Sequence, residues 1–119
     1  MKPKTTNPGA LKRFEWVGGW LVRHVVPVPG KPYTHRCRLA VFEAVAHRFE
    51  EAGRAGVTLE EVREAESVPW TQACVAIDFM DERGLLEHAH PRRRRFAPGQ
   101  GHLDAMIEFH ALREEVCVG

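Results

Sequence analysis

The chain has 119 residues, of which 44% are hydrophobic and 28% charged, with a formal net charge of +1 at neutral pH. That balance suits one modest globular core and excludes a disordered, charge-dominated chain. A whole-protein basic field is also excluded, so any nucleic-acid footprint has to come from a local cluster of cations.

Asn7 and Pro8 have the pattern of an N-cap followed by proline at the first helical position. Beyond them Leu11, Phe14, Val17 and Leu21 recur at helical spacing, which predicts an N-terminal helix. Gly18 and Gly19 weaken or bend it, at about 1 kcal/mol each relative to alanine. Pro27, Pro29 and Pro32 then forbid regular structure, so residues 1–32 read as a helical extension and a Pro-rich linker. Thr34 is placed to cap a second helix, from His35 to Ala52, whose apolar stripe is Leu39, Phe42, Val45, Ala46 and Phe49, with Gly53 at its end. Thr58 and Glu61 form a capping box, with Val57 and Val62 placed as a hydrophobic staple, and open a short third helix. Ser67 and Val68 end it, and Pro69 begins another that runs to Arg83 and stops at Gly84. Leu85–His90 and Arg94–Ala97 read as two strands, with Pro91, Arg92 and Arg93 at the hairpin tip. After Pro98–Gly101 a last helix, His102–Val116, carries Leu103, Met106, Ile107, Phe109, His110 and Leu112 on one broad face.

The order helix, capped short helix, tight turn, helix, Gly84-Leu85-Leu86 strand and basic hairpin resembles the winged helix-turn-helix superfamily over roughly residues 35–98. In that resemblance Thr58-Leu59-Glu60-Glu61-Val62 opens the second helix, and Val68 is the apolar residue of the turn. Ala73, Ile77 and Met80 are the buried face of the recognition helix. It implies a mainly α fold with a small β-hairpin, in which a winged core over residues 33–98 is flanked by N- and C-terminal helices, the latter within residues 99–119. It also implies double-stranded DNA as the partner, and a small bacterial or phage transcriptional regulator as the type of protein.

The expected interface follows. Arg92, Arg93, Arg94 and Arg95 would cluster at the wing tip and contact phosphates or enter a minor groove, with salt-sensitive binding as the consequence. On the recognition helix Thr71 and Gln72 would hydrogen-bond base edges, and Trp70 and Val75 would meet a thymine methyl. No lysine or arginine lies between Pro69 and Glu82, and Asp78 would repel phosphate. The alternative reading is therefore a protein-interaction subunit that exposes Trp70, Val75 and Phe79 together.

Other chemistry finds little footing in the sequence. Three cysteines, Cys37, Cys74 and Cys117, without a CxxC pair suggest reduced thiols in a cytoplasm. His88 with His90, and His35 with Cys37, are two-ligand pairs that lack a third partner, so no metal and no cofactor is expected. No phosphate loop, nucleophile elbow or paired carboxylate signature points to an enzyme. The run from Trp16 to Val28 is too interrupted to span a membrane. The flanking segments, with Trp16, Gly18, Gly19 and Trp20 at one end and Leu103 to Leu112 at the other, suggest a homodimer.

Overall fold

A computed structural model describes the backbone of residues 11–118 and the side chains of residues 11–113. The helix start read at Asn7–Pro8 lies outside those residues. Gly18 and Gly19 decide the first element: their φ angles, +56° and +91°, are the two positive values that a two-residue type I′ hairpin requires. The flanking residues therefore pair and do not coil. Strand β1 (Leu11–Val17) runs antiparallel to β2 (Trp20–Val26), with Val17 opposite Trp20 and Leu11 opposite Val26. This corrects the N-terminal helix. The helical spacing of Leu11, Phe14, Val17 and Leu21 is a coincidence of two strands: Phe14 and Leu21 are buried, whereas Leu11 and Val17 face solvent.

The Pro27–Pro32 segment connects β2 to β3 (Tyr33–Arg38), which completes a sheet of order β1–β2–β3. Here too the structure corrects the sequence reading. Thr34 lies in a strand and caps nothing, and the helix expected from His35 begins at Leu39, because residues 33–38 alternate between the two faces of the sheet. The inner face contributes Phe14, Leu21, Val25 and Cys37 to the core.

Helix α1 (Leu39–Ala52) buries Phe42, Val45, Ala46 and Phe49, the stripe its spacing predicts. A 3₁₀ turn at Gly53–Ala55 leads to α2 (Leu59–Glu66), α3 (Trp70–Glu82), a hairpin of β4 (Leu86–His90) and β5 (Arg93–Phe96), and α4 (His102–Val118). The chain is thus a mixed α/β fold, with four α-helices and two small antiparallel sheets among the described residues.

Phe79 of α3 sits at the centre of the core. Phe14 from the sheet meets it edge-on at 5.4 Å and Phe42 from α1 at 5.8 Å, while Phe42 also packs on Phe109 of α4 at 5.1 Å. The face that α4 buries is Ala105, Phe109 and Leu112; Leu103 and Ile107, expected on it, are 71% and 54% exposed. Glu50 and Asp104 accept from the backbone N–H groups of His102 and Gly101, both at 2.9 Å, which fixes where α4 begins.

Candidate nucleic-acid interface

The pair α2–α3 is built from local signals. Thr58 Oγ1 accepts from the Glu61 N–H and Glu61 Oε1 accepts from the Thr58 N–H, both at 3.1 Å, so the capping box is present in full. Helix α2 ends at Ser67, whose φ of 55° is left-handed, and Pro69 turns the chain directly into α3. The first turn of α3 has no side-chain cap. Trp70 is 43% exposed and Thr71 is exposed beside it. Gln72 is half-buried, and its Oε1 accepts from the Arg38 backbone N–H at 3.0 Å, which ties the end of β3 to α3.

Val75 does not face outward as the sequence reading has it. It is fully buried, as is Phe79, because the three-stranded sheet packs on that side of α3. Val75 therefore has no surface to offer a thymine methyl. Further along, Asp78 accepts from Lys12 and Arg23 at 3.0 Å each, and Asp81 pairs with Arg94 at 2.8 Å. Asp78 and Asp81 are thus neutralised from the sheet on one side and the hairpin on the other.

The arginine run is dispersed along β5 and not gathered at a tip. Arg93 makes a bidentate pair with Glu61 at 2.8 and 3.0 Å and also donates to the Gly56 carbonyl at 3.1 Å. Arg95 Nε donates to Glu87 at 2.6 Å and its Nη1 to the Arg54 carbonyl at 3.2 Å. With Arg94 on Asp81, these three arginines fasten the hairpin to the helices. The Arg94 backbone pairs with that of Val57 at 2.9 and 3.1 Å, adding a third segment to the hairpin edge. Arg92 alone projects: its side chain is 80% exposed and reaches Glu60 at 3.2 Å, a pairing that solvent makes weak. The Thr58 backbone N–H and then the Arg93 guanidinium hold the Glu61 carboxyl below its usual range.

Arg36, Arg38 and Arg63, which the sequence reading left aside as contacts, are among the cations with no carboxylate within ion-pair distance among the described residues. Each lies over a tryptophan instead. Arg63 of α2 stands 5.4 Å from the Trp70 ring, and Arg36 and Arg38 of β3 stand 4.1 and 5.2 Å from the Trp20 ring. No local pattern marks them, because freedom from a carboxylate partner is a property of the folded arrangement.

Between α3 and the hairpin runs a groove of about 360 Å³, lined by Trp70, Cys74, Ile77, Asp81, Arg92 and Arg94 among others, with Arg23 of the sheet at its far wall. Cys74 is half-buried there, and desolvation pushes its thiol pKa up. His88 and His90 are exposed, and Arg23 donates to Nδ1 of His35 at 3.0 Å. Among the described residues no group of three or more His, Cys, Asp or Glu is placed to hold a metal ion, and no helix is long and apolar enough to cross a membrane. Compared with protein-family models, curated proteins and solved structures, the chain matches none.

Proposed function

We propose that this chain is a cytoplasmic winged-helix protein that binds double-stranded DNA as a transcriptional regulator. In this reading it presents the first turn of α3 to the major groove. The observation that carries the reading is the exposure of Trp70 and Thr71 at the open end of a capped α2–turn–α3 pair, between Arg63 and the projecting Arg92. The element order also fits, since α1, the Val57 segment, α2, α3 and the β4–β5 hairpin follow one another as in winged helices. Thr71 is the candidate for base contact, Trp70 for apolar contact with a thymine methyl, and Arg63 and Arg92 for phosphate. Gln72 is held by the bond its oxygen accepts from the Arg38 N–H, which leaves both amide N–H donors for a base. Arg93, Arg94 and Arg95 act mainly as fasteners of the wing. A two-fold association would rest on Leu103 and Ile107 of α4.

The rival reading as a protein-interaction subunit asked for Trp70, Val75 and Phe79 on one surface, and two of these three are buried. Thr71→Asp separates binding from folding. A carboxylate in the first turn of a helix is favourable to the helix dipole, so stability is retained, while the same charge repels phosphate. The expected result is an unchanged urea midpoint with duplex affinity reduced tenfold or more, about 1.4 kcal/mol. Equal affinity in the two proteins would remove α3 from the interface.

A further inference from the structure

The solvent face of the three-stranded sheet is chemically unlike the rest of the surface. Strand alternation places Arg13, Glu15 and Val17 of β1, Trp20, Val22 and His24 of β2, and Thr34, Arg36 and Arg38 of β3 on it. Its one carboxylate is already engaged: Glu15 meets His24 at 2.6 Å and Arg13 at 3.6 Å. Arg36 and Arg38, both exposed, are left with the Trp20 ring as their support and no anion among the described residues. Two guanidiniums held over an indole keep their outward N–H donors available and lose little side-chain freedom when they meet a planar or tetrahedral oxyanion. The position of this pair gives it a partner. The Arg38 backbone is hydrogen-bonded to Gln72 in the first turn of α3, which places the β3 end of this face beside the surface assigned to DNA.

We infer that Arg36 and Arg38, braced by Trp20, form a second phosphate-backbone contact that extends the duplex footprint from α3 onto the N-terminal sheet. This inference rests on the DNA-binding reading above. The positive excess of the face, with its only carboxylate occupied, fits the backbone of the same duplex that α3 would address, and no base reading is assigned to it.

The test is fluorescence anisotropy of a labelled mixed-sequence duplex with the wild type, with R36Q/R38Q and with R63Q, each across a salt series. Each phosphate contact contributes roughly 0.9 to the slope of log affinity against log salt, so R36Q/R38Q is expected to flatten that slope by about 2 and R63Q by about 1. A second arm guards against a folding defect in the double variant. With the wild type and W20F titrated side by side, the difference between their emissions reports Trp20, and it is expected to shift in step with anisotropy as the arginines leave the ring for phosphate. Wild-type slope in R36Q/R38Q, or Trp20 emission unmoved at saturating duplex, overturns the inference while the α3 reading stands. Absence of duplex binding by the wild type overturns both.

Discussion

Glu61 shows how one residue can serve two elements. It closes the capping box of α2 and receives the bidentate guanidinium of Arg93 from β5. Thr58→Ala removes the cap, and a loss of about 1 kcal/mol in urea unfolding is expected. Because the folded state holds the Glu61 carboxyl below its ordinary value near 4.5, its contribution is present above that pH and is lost as pH falls through the depressed value. The acid limb of the stability profile is therefore expected to be steeper in the wild type than in Arg93→Gln, whose Glu61 keeps the Thr58 backbone N–H but loses the guanidinium. Cys37 has the opposite sign. Burial pushes its thiol to about 12 from 9.0, so the unfolded chain ionises first and stability falls as pH rises between those values. In a Cys117→Ser protein, a thiol reagent is accordingly expected to label Cys74 well before Cys37; simultaneous labelling would contradict the burial of Cys37.

The capping box was legible from Thr58 and Glu61 alone, because both partners lie within one turn. The fate of the four arginines was not. A run of like charge suggests a patch, but a strand sends neighbours to opposite faces; Glu87 meets Arg95 through the hairpin register, and Glu61 and Asp81 are brought near only by tertiary packing. Val75 was misplaced for a related reason. Helical spacing gives the side that faces α1 and α2, but a second buried side required knowing that a sheet lies there.

At the scale of elements, the two-glycine turn carries the largest consequence. Apolar spacing over residues 11–21 fits both a helix and two short strands, and Gly18–Gly19 decides between them. No atom lies within 4 Å of a Cβ built at either glycine, so a substitution there meets only the cost of its backbone angle. Gly19→Val is expected to lower stability by about 1–2 kcal/mol, as a left-handed β-branched residue should. Gly18→Asn is expected to be nearly neutral, since asparagine tolerates that region. Equal effects of the two substitutions in chemical denaturation would argue against the turn. Gly56 is less forgiving: at φ +75° an added Cβ would stand 2.7 Å from the Arg94 carbonyl and 3.1 Å from the Ala89 side chain. Gly56→Ala should therefore part Val57 from Arg94, and amide exchange at Arg94 should rise well above that at core positions such as Phe79.

Taken as a whole, the molecule wedges α3 between a sheet and a hairpin and leaves mainly its first turn open. Lys12, Arg23 and Arg94 neutralise Asp78 and Asp81, the first of which argued against DNA in the sequence. Removing such a carboxylate releases its cations for phosphate. Asp78→Asn is expected to tighten duplex binding and steepen its salt dependence, with some loss of stability from the uncompensated Arg23; weaker binding by a folded Asp78→Asn protein would count against this balance of charge. The order of elements from α1 onward was legible in caps, prolines and apolar stripes, whereas the sheet that frames α3 hung on a turn whose glycines admit two readings.

The most direct test of the central claim is the affinity of the purified wild-type protein for duplex DNA across a salt series. With Arg63 and Arg92 contacting phosphate, log affinity should fall linearly with log salt, by about 2 per tenfold rise and by more if the sheet arginines also take part. Failure to bind at the lowest salt, or binding that ignores salt, would contradict it.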